Sequence, residues 1–530
     1  MAGSTELHKG LKQRHLTMIA IGGVIGAGLF VGSGVVIKNT GPGAFLSYAI
    51  TGVLIVMVMR MLGEMATANP STGSFADYAR RAMGGWAGFS VGWLYWYFWV
   101  IVVGFEAVAG AKIITFWFDA PLWLLSLGLM ILMTITNLFS VRSYGEFEYW
   151  FAGIKVFAIV VFIALGTLFV LGLWPGKSMD FSNLTNDGGF FPLGVGAVFS
   201  SIVVVVFSMV GAEIATIAAA ESDDPKRAIS KATNSVVLRV AIFFVGSLFL
   251  LAVIIPWNSN KEGDAPYVRA FQEMGIPYAD HFMNAIVLTA VLSCLNSGIY
   301  TASRMLFVLA ARREAPIRMI TVNSKGVPVW AILSSTVIGF LCVIAAYVSP
   351  DTVFLFLLNS SGAIILFVYL LIAISQVILR RRTDASRLQV KMWLFPVLSL
   401  LTIAAIIGVL IGMAVDEDSR SQLVLSLVAW AVVVALYLVT RKLGGSVSVD
   451  EMETTARLNL EPAHKVLVLA NETVGAPELL AELERIDADG NAEYFVCVPA
   501  NPVDTGTAEK TGAAFVWEAT LEAARARLDD

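Results

Sequence analysis

Three charged side chains, Glu106, Lys155 and Glu213, stand inside long apolar stretches of this sequence. In hydrocarbon such a group costs about 2.5–3.5 kcal/mol unless it is paired, hydrated or neutralised. Residues that bear this cost mark a water boundary, or they bind or relay charge. Two backbone features accompany them. The run Gly22-Gly23-Val24-Ile25-Gly26-Ala27-Gly28 is followed by Gly32 and Gly34. The last two fit a small-residue packing face. The dense run is different, because each glycine weakens a helix by about 1 kcal/mol relative to alanine. It reads as an unwound segment, and unwound backbone at membrane depth survives where it faces a cavity or a ligand. Freed N–H groups at the start of a half-helix suit a carboxylate. The second feature is Phe207-Ser208-Met209-Val210-Gly211-Ala212-Glu213, another interruption in an apolar stretch.

The remaining chemistry-bearing residues admit two readings each. Glu106 follows the aromatic run Trp93–Trp99, most of which reads as an interfacial belt. Glu106 itself lies deeper and needs a partner, either in a pocket or in Lys112. Lys155 reads either as a snorkelling interfacial lysine, with Glu146 and Glu148 marking the nearby boundary, or as a buried charge. Ser293 to Tyr300 combines small and polar groups, and Ser360-Ser361-Gly362 does so more weakly. Most such stretches are interhelical glue, at about 0.6 kcal/mol per hydrogen bond. If the first of them borders a site, Cys294, Asn296 and Ser297 are candidate lining residues. Glu221 to Arg227 reads as a capped amphipathic loop helix that follows the sixth span. The scattered cysteines (Cys294, Cys342, Cys497) and histidines (His8, His15, His281, His464) form no metal or disulfide framework. No nucleophile–base–orienter set is present, so an enzymatic reaction is not expected, and no cofactor is implied.

The elements that must position these groups are membrane helices. Of 530 residues, 57% are hydrophobic and 14% charged, and the mean hydropathy is +0.76. A soluble domain carries about 25% charged residues and could not cover so apolar a chain. About twelve spans are expected, near 16–38, 43–66, 86–114, 121–140, 147–173, 194–219, 236–256, 282–310, 328–348, 351–379, 392–414 and 421–440. The two interruptions then fall in spans one and six. Paired breaks five spans apart point to the midplane site of an inverted-repeat transporter.

Alternate loops are rich in Lys and Arg: Arg80/Arg81, Arg142, Lys226/Arg227/Lys231, Arg312/Arg313/Arg318/Lys325 and Arg380/Arg381/Arg382. By the positive-inside rule that side is cytoplasmic, which places both termini inside. Residues 1–15 form the cytoplasmic N-terminus, 16–442 the membrane domain and 443–460 a polar linker. Residues 461–530 read as a small α/β tail: a strand from His464 to Ala470, a helix from Pro477 to Ile486, and a strand from Tyr494 to Val498. The tail resembles the start of a universal-stress-protein-like domain. Its last helix, Phe515 to Leu528, stops abruptly, so an incomplete domain is expected, with its partner unknown.

Several stretches carry a family resemblance. IGGVIGAGLFVGSG, MRMLGEMATANPSTGSFADYA, GWLYWYFWV, YGEFEYWFAGIKV, MVGAEIATIAAAESDDP, ATNSVV, IPWN and SCLNSGIYTASRML occur in this order between about Lys9 and Arg441. They resemble the amino-acid transporter branch of the amino acid–polyamine–organocation superfamily, and within it γ-aminobutyrate permeases. The resemblance implies a five-plus-five inverted repeat with two extra spans, and proton-coupled uptake driven by the proton gradient. It implies that the Ala27 and Gly28 amides hold a substrate carboxylate. It assigns the ammonium to carbonyls of Val24, Phe207, Ser208 and Val210, with Phe207 as an aromatic lid. It places Lys155 where related transporters hold a sodium ion, which makes Lys155 the favoured proton-coupling residue, with Glu213 a second.

The expectation is therefore a bacterial inner-membrane symporter importing γ-aminobutyrate or a closely related small amino acid, with the lipid bilayer as its setting and no nucleic-acid partner. Other neutral or cationic amino acids are the rival substrates. A channel or a transport-like nutrient receptor is the rival of another class.

Overall fold

The computed structural model describes residues 18, 24–71, 73–139, 141–214, 216, 225–259, 265–323, 325–348, 350–383 and 388–444, and the backbone strands at 464–469 and 492–497. Gly22, Gly23, the segment 221–224, the linker from 445 and the two expected tail helices lie outside the described residues. So do the side chains of Ser360 and Ser361.

The chain divides into a unit of residues Met1–Ser446 and a unit of Val447–Asp530. The first is helical. Its elements are α1 (Ala27–Phe30), α2 (Gly32–Thr40), α3 (Ala44–Ala68), α4 (Ser74–Met83), α5 (Gly85–Ile114), α6 (Leu122–Phe139), α7 (Val141–Val170), α8 (Val195–Ser200) and α9 (Ile202–Met209). They continue with α10 (Pro225–Arg239), α11 (Ser247–Ile254), α12 (Pro266–Glu273), α13 (Ala279–Ala311), α14 (Val329–Val348), α15 (Pro350–Arg382), α16 (Val397–Val415) and α17 (Glu417–Gly444). Among the described residues nine helical stretches are long and apolar enough to cross a membrane. Val195–Met209 and Val329–Ala345 add two shorter apolar helices. In hydrocarbon every backbone polar group must be satisfied within the protein, which is why continuous helix dominates.

Helix α5 is the hub. It packs against α13, α15, α14 and α4, and its apolar window is the most enclosed of the long helices. Aromatic rings on α5 fill the centre: Tyr95, Phe98, Trp99 and Phe105 are all buried. Helices α16 and α17 are the least enclosed. Val415, Val428 and Val432 on them face outward. An apolar outward face suits lipid rather than water.

Two boundaries differ from those read in the sequence. Pro225 stands at the first position of a helix, as its sequence suggests, but not of a short loop helix. It opens α10, which runs through a π-helical stretch at Val240–Gly246 directly into α11. Proline at the first position of a helix is favourable, because its missing N–H would have no partner there. Glu148, read as a marker of the membrane boundary, is wholly buried within the helix packing.

In the second unit, β1 (His464–Leu469) and β2 (Ala492–Cys497) pair in parallel, with His464 opposite Ala492 and Leu469 opposite Cys497. A parallel pair requires a crossover connection of a dozen or more residues, and the residues between the strands supply that length.

Candidate functional site

The first break lies at Gly26. Its backbone is extended (φ −135°, ψ −160°), and α1 starts at the next residue with no side-chain cap. The Leu29 and Phe30 amides donate to the Gly26 carbonyl at 3.2 and 3.3 Å. The Ala27 amide points elsewhere. It donates to the carboxylate of Glu106 on α5, at 3.3 and 3.4 Å from the two oxygens. Amide donors at a helix start favour an anion, and Glu106, itself buried, supplies one.

The second break follows α9. Val210 is extended (φ −66°, ψ 150°), and Gly211 takes φ +112°, a region that side chains with a β-carbon rarely adopt. The Gly211 amide donates to the Glu213 carboxylate at 3.2 and 3.1 Å. Tyr95 and Tyr369 hydroxyls donate to the same carboxylate at 3.1 and 3.4 Å. Glu213 is thus buried but supplied with donors from its own turn, from α5 and from α15. A buried carboxylate is tolerable on those terms.

The breaks meet. The Ser208 hydroxyl donates to the Gly28 carbonyl at 2.7 Å and to the Val204 carbonyl at 3.1 Å. A β-carbon on Gly28 would fall 2.7 Å from the Ser208 Cα, so only glycine permits the approach. At Gly26 a β-carbon would meet Cys294 Sγ at 3.0 Å and Glu106 Oε1 at 3.1 Å.

Beside the crossing is a cavity of about 20 Å³, lined by Val24, Gly26, Gly28, Glu106, Phe207, Ser208, Val210 and Cys294, with Phe98, Trp99 and Val102 as its apolar wall. One water needs at least about 10–15 Å³, so an amino acid enters only if the lining parts. The Phe207 ring stands edge-on to Phe105, with centroids 5.0 Å apart, and tilted against Phe98 at 6.3 Å. A far larger cavity, about 710 Å³, lies between α3, α8–α9 and α16. Its lining is mainly apolar, with Asp416 and Ser419 among it, and it contains none of the groups discussed above.

Lys155 is fully buried on α7. Its Nζ donates to Ser293 Oγ at 2.7 Å, and Ser293 Oγ donates to Glu148 Oε1 at 2.6 Å. Nζ lies 3.8 Å from the same carboxylate oxygen. Ser293 precedes the cavity-lining Cys294 on α13, so adjacent residues of one helix touch both the cavity and the Lys155 cluster.

Val24, Ala27, Gly28, Phe207, Ser208, Val210, Glu106 and Cys294 therefore converge around the crossing. Asn296 and Ser297 are buried but do not line the cavity. Asn296 accepts a 2.7 Å hydrogen bond from Asn137 on α6. At about 100° per residue, a position two beyond Cys294 faces the opposite side of the helix. Residue spacing had a further signal to offer. Glu148 and Lys155 are seven apart, which places them on one helix face, yet burial of both is visible only in three dimensions.

Two more polar clusters were not legible in the sequence. Near the ends of α4 and α13, Arg312 pairs with Asp77 and Arg80 with Glu314. Ser71 also donates to Asp77. Burial pushes the Glu314 carboxyl above its ordinary range against the pull of Arg80 and Arg312, and lowers the Arg312 guanidinium to about 10. Elsewhere Glu64 on α3 accepts from Gln376 Nε2 at 2.8 Å and from the Met392 amide at 2.6 Å, fastening α3 to α15.

Comparison with known proteins locates this geometry. The family described as "Amino acid permease" matches residues 15–452. A γ-aminobutyric acid permease of Bacillus subtilis is 55% identical over 441 residues, covering 82% of this chain and 94% of that protein. A γ-aminobutyric acid permease of Escherichia coli is 48% identical over 413 residues, covering 77% and 89%. Among solved structures, a manganese transporter of Eremococcus coleocola superposes with a TM-score of 0.52 at 13% identity, covering 83% of this chain and 94% of that one. At that identity the likeness concerns the fold alone.

Proposed function

This chain belongs to the amino acid permease family, and we propose that it is a proton-coupled symporter importing γ-aminobutyrate or a closely related small amino acid. The observation that carries the reading is the crossing of two broken helices at Gly28 and Ser208, beside a cavity roofed by Phe207. Backbone amides and carbonyls released by paired breaks are the usual means of holding a zwitterion at membrane depth. The Ala27 and Gly28 amides would take the substrate carboxylate. Carbonyls of Val24, Phe207, Ser208 and Val210 would take its ammonium, with the Phe207 ring covering it.

The Ala27 amide is held by Glu106 in this structure, so an arriving carboxylate displaces that contact and leaves Glu106 near the ammonium. Lys155 is the proton-coupling group in this reading, and Glu213 is the alternative. The membrane domain crosses twelve times, in two inverted sets of five plus two further spans, with both termini in the cytoplasm of a bacterium's inner membrane. Rocking one set of spans against the other alternates access. The tail's partner is open.

Uptake in proteoliposomes with an imposed pH gradient tests the proposal, with γ-aminobutyrate set against a panel of neutral and cationic amino acids. Saturable accumulation that collapses with the gradient is expected. Flux without saturation would indicate a channel, and binding without accumulation a receptor.

A further inference from the structure

Glu148 has no role in the reading above, yet it is wholly buried, and one of its oxygens, Oε2, has no hydrogen-bond partner among the described residues. A carboxylate oxygen left without a donor is costly when charged and tolerable when the group is neutral. The other oxygen accepts from Ser293, which accepts from Lys155. These contacts form a continuous hydrogen-bonded path, Nζ–H to Oγ–H to Oε1, with links of 2.7 and 2.6 Å.

From this geometry we infer that Glu148 receives the coupling proton of Lys155 through the Ser293 hydroxyl and is the group that releases it. The inference rests on the reading of Lys155 as the coupling residue. The Lys155 ammonium gives one proton to Ser293 Oγ while the Ser293 hydroxyl proton passes to Glu148 Oε1. An ion pair thereby becomes a neutral amine and a neutral carboxylic acid. Net charge is zero before and after, so the exchange avoids the several kcal/mol that an uncompensated buried charge costs. When the spans rock to admit water on the release side, Glu148 loses its proton as Lys155 regains one from the opposite side, so the ion pair is restored without leaving either charge uncompensated. Glu148 stands two helical turns, about 10 Å, nearer the N-terminal end of α7 than Lys155. That end carries Arg142 and belongs to the Lys/Arg-rich side. Release from Glu148 is therefore directed inward.

Among the described residues, Glu146 and Tyr149 flank Glu148 on α7, and Cys294 on α13 and Glu106 on α5 stand near the path at the substrate cavity. Cys294 and Glu106 connect the path to the site: displacement of Glu106 by a substrate carboxylate alters the field at Lys155.

The test uses Glu148→Gln, Glu148→Asp, Ser293→Ala, Ser293→Thr and Lys155→Ala in proteoliposomes. Each is assayed for accumulation driven by a pH gradient and for substrate counterflow without one. Glu148→Gln and Ser293→Ala should lose roughly a hundredfold or more in the rate of driven accumulation, the scale expected when a positioned proton-transfer group is removed. Both should retain counterflow and lose the pH dependence of uptake. Glu148→Asp and Ser293→Thr, which keep the acid and the hydroxyl, should recover part of the coupling. Normal accumulation and pH dependence in Glu148→Gln, with Lys155→Ala uncoupled, would overturn this inference and leave the Lys155 reading standing. Normal coupling in Lys155→Ala would overturn that reading itself. Joint loss of accumulation and counterflow in a correctly inserted Glu148→Gln would make Glu148 structural and also overturn the inference.

Discussion

The hydroxyl of Ser208 donates 2.7 Å to the carbonyl of Gly28, tying two broken helices together where each passes the other. No side chain larger than hydrogen fits at position 28, because its β-carbon would lie against the Ser208 backbone. Gly28→Val should abolish uptake while the protein still reaches the membrane. Overpacking of this kind costs about 1–3 kcal/mol, enough to part the crossing without unfolding a chain with so many other contacts. Near-normal transport by a correctly inserted Gly28→Val would remove the crossing from the substrate site.

Glu106 accepts the Ala27 amide and lines the cavity. If it meets the substrate ammonium once displaced, Glu106→Gln should raise the KM for γ-aminobutyrate by about tenfold, in keeping with loss of a charge-assisted hydrogen bond of about 1.5–3 kcal/mol. Inhibition by a carboxylic acid lacking the amine should change little. Equal loss for both ligands would assign Glu106 to the architecture of the break.

Lys155→Ala should lose uphill accumulation while substrate exchange survives, because the proposed substrate contacts come from backbone groups at the two breaks, between Val24 and Gly28 and between Phe207 and Val210. Lys155→Arg should stay defective, since arginine remains charged at any ordinary pH. An arginine variant that concentrates substrate with normal proton dependence would turn attention to Glu213.

The Asp77–Arg312 and Arg80–Glu314 pairs join α4 to the end of α13. Asp77→Asn leaves Arg312 short of its counter-charge in a buried place, at a cost of about 3–5 kcal/mol. Reaction of Cys294 with a membrane-permeant thiol reagent should speed up in that variant as the adjoining helices loosen. An unchanged rate would show that these pairs do not hold the cavity closed.

The topology has its own check. If the proposed orientation places the segment after α11 outside, a cysteine at Ser259 should react with an impermeant reagent in intact cells. Reaction only after lysis would invert the orientation.

What the sequence determined by itself was the class of protein and the location of its breaks. Hydropathy is a local, additive property, so twenty-residue apolar blocks announce membrane helices without reference to their neighbours. Glycine density at Gly26 and Gly28, and the buried charge at Glu213 beside Gly211, mark backbone that cannot remain regular helix. The charge alternation of the loops suggested an orientation by the same local logic.

Partnership was decided only in three dimensions. That Glu106 reaches back across 79 residues to the Ala27 amide, and that Tyr95 and Tyr369 both serve Glu213, depends on helix rotation and crossing. The same holds for Glu148, which in the sequence alone, with Glu146, marks a membrane boundary close to Lys155. Packing of α7 against α13 encloses it instead and supplies Ser293 as the bridge to Lys155. Asn296 and Cys294 make the same point in the other direction. The sequence offers them as equals, but the 3.6-residue period turns one toward the cavity and the other toward Asn137.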